Sequence, residues 1–202
     1  VVMRSNAHCV LVVEDGCTFN LLRQVKFCDR FPCIIVCPHG LPDHETVAFV
    51  HMLTATLGIE AYGVADFNKG GVRGLHKFGS KEQGLFNTKL RWIGLRPCQL
   101  NHLTTSNHLP RKSLLDIINC AKKTEDGETP AESKPFSEKS QKEIQSLMEK
   151  WVENGGTRSK NRQNEMMHMQ EIGYGIDLQK ADDDQLVGLI LRSLVDIWSQ
   201  QD

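Results

Sequence analysis

Two short segments of this chain end apolar runs on side-chain oxygens. Val10-Leu-Val-Val-Glu14 finishes on a carboxylate, and Tyr62-Gly-Val-Ala-Asp66-Phe-Asn68 finishes on a carboxylate and an amide. Residues two apart on an extended backbone share a face, so Asp66 and Asn68 can point the same way. Glu14, Asp66 and Asn68 together make a hard-oxygen donor set suited to Mg²⁺, which commonly sits between carboxylates and phosphate. Two plainer readings compete. Glu14 can be a solvated acid just past a strand, and Asp-x-Asn before Gly70-Gly71 is also turn chemistry.

Basic residues follow the second segment. Lys69, Arg73, Lys77 and Lys81 recur every four residues, with no acid between Asp66 and Glu82. On a helix they would form one stripe able to hold phosphates, which positions nucleic acid without reading its sequence. Gly70, Gly71, Gly74 and Gly79 argue against a regular helix here. His39, in Pro38-His-Gly-Leu-Pro42, is a loop imidazole that could touch phosphate or carry a proton. The competing readings are a solvated charged face and a solvent-exposed loop histidine. Trp92 and Met166–Met169 suit a core or an interface.

The elements that must position these groups follow from apolar periodicity. His8 to Glu14, Phe31 to Cys37, Ile59 to Ala65 and Leu90 to Leu95 read as strands, and their continuous apolar character suits a sheet covered on both faces. Thr18 to Phe27 reads as a short helix. Asp43 to Leu57 reads as another, with Val47, Val50, Leu53 and Leu57 on one face and Gly58 as its stop. Strand–helix alternation with short loops implies a parallel sheet. In such a sheet the carboxyl ends of the strands line one crevice, where ligands bind. Glu14 and Asp66 would both face it. Beyond Pro110, Arg111 to Lys122 reads as a helix, Lys123 to Pro135 as a mobile polar linker, and 156–164 as irregular. Two amphipathic helices close the chain. One opens at Ser137 with Ile144, Leu147, Met148 and Trp151 on one face. The other spans Asp183 to Ser199, with Leu186, Leu189, Ile190 and Leu194 as its stripe.

The bulk numbers exclude several classes. The 202 residues are 40% hydrophobic and 24% charged, the balance of a globular protein. Residues 1–110 carry 11 Lys and Arg against 8 Asp and Glu, and the remainder 13 against 17, so neither part is polybasic. No run approaches the roughly 20 apolar residues of a membrane span, and no signal pattern opens the chain. The 7 Cys are odd in number and include no C-x-x-C pair, against a disulfide framework and a zinc site, and Cys9, Cys33 and Cys37, which lie in apolar runs, read as small buried hydrophobes in a reducing compartment. No G-x-G-x-x-G follows the first strand, against a dinucleotide-binding protein.

The motifs Leu11-Val-Val-Glu14, Phe31-Pro-Cys-Ile-Ile-Val-Cys-Pro-His-Gly-Leu-Pro-Asp43, Tyr62 to Asn68, Lys77-Phe-Gly-Ser80 and Arg91-Trp-Ile-Gly-Leu-Arg-Pro97 occur in the order and spacing of one known domain. The chain resembles the Toprim domain found in the A subunit of topoisomerase VI and in its relative, the meiotic double-strand-break transesterase. The resemblance is good from about Ala7 to Leu103. It implies an α/β Toprim (Rossmann-like) parallel sheet of about four strands flanked by helices, with a helical C-terminal extension. The Toprim domain would span 7–110, a helix and linker 111–136, and a helical region 137–202.

The resemblance also implies a function: Mg²⁺-dependent binding and double-strand cleavage of DNA by transesterification, in a type IIB topoisomerase-like or meiotic recombination protein. Glu14, Asp66 and Asn68 would hold Mg²⁺, and His39, Lys69, Arg73 and Lys77 would contact DNA phosphates. No catalytic residue would lie in this chain, because the tyrosine nucleophile belongs to a winged-helix domain upstream; this chain is read as a C-terminal part of such a protein or a diverged paralogue. Double-stranded DNA, a second copy in a homodimer and a B-type ATPase would be the partners, in the nucleus on chromosomes. A degenerate module serving only DNA contact or dimerisation is the alternative. The chain departs from the family pattern at Asp15, His39 and Val47, where the family has Lys, Lys and Arg. A gapless alignment would make Asp66 the second acid and put Val64 in place of the first.

Overall fold

The structure, a computed structural model, describes residues 3–79, 88, 90–94, 134–135, 137–153, 167, 174–175 and 183–199. The helix expected at Arg111–Lys122, most of the expected linker, the stretch 156–164 and Lys81 lie outside the described residues. Two compact units are present. The first draws on Val1–Asp66, Gly70–Gly94 and Asp183–Asp202, the second on Phe67–Lys69 and Leu95–Asp182.

The first unit is built on a four-stranded parallel sheet in the order β2-β1-β3-β4. The strands are β1 (Cys9–Val13), β2 (Cys33–Val36), β3 (Glu60–Val64) and β4 (Arg91–Gly94). This is the expected Rossmann-like α/β architecture. β1 is central, paired with β2 on one side and β3 on the other, and all five of its residues are buried. An apolar run without alternation is what burial on both faces requires.

Local chemistry sets the helix boundaries. The first helix, α1 (Gly16–Gln24), starts two residues earlier than the periodicity suggests. Asp15 caps it, its carboxylate accepting the amides of Cys17 at 2.8 Å and Thr18 at 2.9 Å. It also ends earlier than expected. Lys26 takes a left-handed φ of 52°, and the chain re-forms as the single-turn α2 (Phe27–Arg30). α3 (His44–Leu57) runs as expected between an Asp43 cap, which accepts the Thr46 amide at 2.7 Å, and the left-handed Gly58. Val47, Val50 and Leu53 form its buried face. Val47 is fully buried, so the family's arginine position is here a core position.

Hydrogen bonds from Thr46 hold the Asp43 carboxyl below its ordinary value of 3.8. A depressed carboxylate contributes stability above its unfolded value and loses it as pH falls through the folded value. The stability difference between wild type and Asp43→Asn should therefore shrink between about pH 5 and 2. Denaturant midpoints of the two proteins across that range check this, and parallel curves would remove the ionised cap from the account.

The glycine-bearing segment corrects the sequence reading, because Lys69–Gly79 is a regular helix, α4. Its buried face includes Gly71, Val72, Gly74, Leu75 and Phe78. The helix-weakening glycines are offset by burial of that face, and at Gly71 by a close approach described below.

In the second unit, Lys134–Pro135 (β5) pairs antiparallel with Tyr174–Gly175 (β6). The expected mobile linker thus ends in a pairing. α5 (Glu138–Glu153) opens at Ser137 as expected, with the Ser140 amide donating to Ser137 Oγ at 3.2 Å. Ile144 is fully buried.

The last helix, α6 (Asp183–Trp198), belongs to the first unit. Leu186, Ile190 and Leu194 are buried as the stripe suggests, and Leu189 lies against Gly94 of β4. Trp198 closes the helix. Its ring stacks on Phe31 at 4.5 Å and 12° and meets His8 edge-on at 5.8 Å. No described helix is long and apolar enough to cross a membrane.

Candidate metal and phosphate site

Glu14 follows β1 directly, and its backbone is fixed from two sides. Its amide donates to Val64 O at 3.0 Å, and its carbonyl accepts from Gly40 at 2.9 Å. β1 and β3 are neighbours in register, Val13 opposite Val64, so the residues just beyond them emerge side by side. The Glu14 carboxylate turns toward β3, where Oε2 accepts the Asp66 amide at 2.9 Å. This bond joins two of the expected ligand positions across 52 residues of sequence.

The start of α4 lies against the same point. A Cβ on Gly71 would stand 2.3 Å from Asp66 O and 2.9 Å from Glu14 Oε2. Only a hydrogen fits there, so Gly71 belongs to the site although it carries no functional group. A small cavity of ≈ 10 Å³ lies beside Glu14 and Gly71, its other walls including Val12, Ala65, Leu75 and Phe78. Among the described residues no three His, Cys, Asp or Glu side chains form a metal-holding group. The candidate acids number two, and two carboxylates completed by phosphate oxygens fit the way Mg²⁺ is commonly bound.

The other expected residues fall as follows. Asn68 is a half-buried bend residue one position before α4, in the second unit. Lys69, also in the second unit, pairs with Glu143 of α5 at 2.9 Å. Arg73 is exposed on α4. Lys77 is committed to structure, its Nζ donating to Pro42 O at 3.1 Å and so tying α4 to the loop before α3. The expected four-residue basic stripe is therefore not uniform. His39 is exposed with a left-handed φ of 55°, followed by Gly40 at 107°. Its ring lies over the start of α1, with Nδ1 3.0 Å from where a Gly16 Cβ would be.

Asp15 has a role that sequence reading missed. In the sequence it stands out only as a departure from Lys, but its carboxylate takes the Cys17 and Thr18 amides of the first βα turn. In doubly wound folds those amides are the usual phosphate donors. The signal is present in the chain: an Asp between a strand and Gly16-Cys-Thr18 is a helix-cap pattern.

Tyr62 does not stand at this crevice. Tyr62 is 1% exposed, and its hydroxyl donates to Glu60 Oε2 at 2.7 Å, at the opposite, amino end of β3. Burial, then the Glu60 carboxylate, pushes it up to about 12. A group with a raised folded pKa adds stability below its unfolded value, here near 10, and loses it as pH rises through the folded value. Tyr62→Phe should therefore flatten the alkaline decline in stability between about pH 10 and 12. An unchanged decline by denaturant titration would assign it to other groups.

A model of the Toprim domain family shared by the topoisomerase 6 A subunit and Spo11 matches residues 9–187 of this chain. The meiotic recombination protein SPO11-2 of Arabidopsis thaliana is 30% identical over 118 residues, which is 55% of this chain and 31% of that protein. The A subunit of DNA topoisomerase 6 from the same plant is 31% identical over 106 residues, 49% of this chain and 25% of that protein. The meiotic recombination protein SPO11 of Mus musculus is 31% identical over 121 residues, 56% of this chain and 30% of that protein. The aligned part thus spans about a quarter to a third of the relatives it matches.

Proposed function

We propose, since this chain belongs to the Toprim domain family of the topoisomerase 6 A subunit and Spo11, that it is the Mg²⁺-binding part of a DNA-cleaving enzyme related to type IIB topoisomerases. The observation that carries this reading is the Glu14 carboxylate bonded to the Asp66 amide at the ends of neighbouring parallel strands. In this reading Glu14 and Asp66 hold the cation. When bound, the cation supplies charge neutralisation at the scissile phosphate. Gly71 keeps the space around the two acids open, and Gly40 fixes the Glu14 backbone. His39 and Arg73, both exposed, are the residues we assign to DNA phosphates. The tyrosine nucleophile comes from outside this chain, in keeping with the burial of Tyr62. The setting we propose is double-strand break formation in meiotic recombination, on chromosomes in the nucleus. Two copies would act on opposite strands, in complex with a B-type ATPase.

The test is Mg²⁺-linked stability of the chain itself. A ligand that binds only the folded state, at about 100 times its dissociation constant, should add about 2.7 kcal/mol to the unfolding free energy. Glu14→Gln and Asp66→Asn should each abolish that increment while leaving the metal-free protein folded. A wild-type melting temperature that stays flat up to high Mg²⁺ would sink the proposal. It would favour instead a degenerate module for DNA contact or dimerisation, a reading that the Asp15 carboxylate on the first turn of α1 supports.

A further inference from the structure

A pair of thiols away from the metal site has no part in the function above. Cys28, the second residue of α2, and Cys33, the first residue of β2, have their sulfurs 3.8 Å apart. Cys28 is exposed and Cys33 is buried. The short segment between them is held at several points. The Phe31 amide donates to Phe27 O at 2.9 Å, Pro32 O accepts from His8 at 2.9 Å, and the Phe31 ring lies between Phe27 and Trp198. The two sulfurs are thus kept facing each other by packing on both sides of the turn. A disulfide needs them at about 2.05 Å. The remaining approach, roughly 2 Å or less, is within the reach of side-chain rotation at the exposed Cys28. Cys9 lies opposite Cys33 in the sheet register.

We propose that Cys28 and Cys33 are an oxidation site, closing to an intrachain disulfide in exchange with a low-molecular-weight disulfide such as oxidised glutathione. Cys28, as thiolate, attacks one sulfur of the small disulfide and expels one thiolate, which takes up the proton that Cys28 gave to solvent. Cys33 then loses its proton and attacks the Cys28 sulfur of the mixed disulfide, expelling the second small thiol. Two protein thiols are oxidised by two electrons, and the small disulfide is reduced to two thiols. Burial, with Cys33 close by, pushes the Cys28 thiol up to about 11, so the first attack is slow at neutral pH. The product would staple α2 to β2, one of the two edge strands of the described sheet.

The experiment uses the full chain, incubated with oxidised glutathione, quenched with acid and digested with trypsin without reduction. Cleavage after Lys26, Arg30 and Lys69 puts Cys28 alone on residues 27–30 and Cys33 with Cys37 on 31–69. The expected product is a cross-link between these two peptides, present in wild type and in Cys37→Ser and absent in Cys28→Ser. In Cys33→Ser, Cys28 should instead accumulate as the glutathione mixed disulfide. Because Cys28 is exposed, Cys28→Ser is expected to fold, and its circular dichroism is compared with wild type. Wild-type Cys28 found as the mixed disulfide, joined to Cys17 or Cys37, or unmodified would each overturn the proposal.

Discussion

Gly71→Ala should destabilise the chain by about 2–3 kcal/mol and weaken the Mg²⁺-linked stabilisation proposed for it. Two effects oppose each other at this position. Alanine in place of glycine inside a helix is worth up to about 1 kcal/mol in its favour. Against that, the new methyl would lie 2.3 Å from a backbone carbonyl, Asp66 O, and 2.9 Å from the Glu14 carboxylate. The carbonyl belongs to the strand end that the Glu14 side chain itself holds, so relief requires α4 to move off β3. The steric effect wins because the nearest atom is a backbone carbonyl, which cannot yield as a side-chain tip can. Gly74→Ala is the internal control. Its methyl would meet only Pro42 Cδ, at 3.8 Å, an ordinary contact, so that variant should be neutral or stabilised by up to about 1 kcal/mol. Urea unfolding of the two variants beside wild type separates a site constraint from general helix propensity. Equal behaviour of the two would mean that the approach of α4 to Glu14 does not limit this position.

Trp198→Ala should cost about 3 kcal/mol, toward the lower end for losing a large aromatic because Trp198 is only half-buried. The ring is the contact point of two segments far apart in sequence: Phe31 before β2 and His8 before β1. Its removal leaves a gap beside Phe31 and takes away the edge contact with His8. Trp198→Phe keeps an aromatic ring against Phe31 and loses only part of the packed area, so it should cost nearer to about 1 kcal/mol. Val195→Ala, on the same helix and 55% exposed, should change stability by less than about 0.5 kcal/mol. Thermal unfolding of the three variants checks the order. If Trp198→Ala matched Val195→Ala, α6 would not be held to the sheet by its last turn.

The sequence by itself determined the parts of this protein that depend on chain neighbours. The four strands are legible because uninterrupted apolar runs have few other uses. α3 is legible because Asp43 and Gly58 supply its start and stop and the valines between recur at helical spacing. The acids at strand ends are legible because a parallel α/β sheet sends those ends to one crevice, and the motif order is specific enough to indicate the family. Tertiary structure alone decided the rest. Glu14 meets the Asp66 amide only because β1 and β3 are adjacent, a pairing across 52 residues that no local pattern encodes. The α4 segment reads as doubtful helix because glycine propensity is local, whereas the need for a side-chain-free surface at Gly71 comes from Glu14. The basic stripe divides for the same reason. Equal spacing makes Lys69, Arg73 and Lys77 look alike, but a carboxylate from α5 and a carbonyl from the loop before α3 engage two of them and leave Arg73 exposed. Spacing along the chain fixes which way a side chain points from its own element, and the fold decides what it meets there.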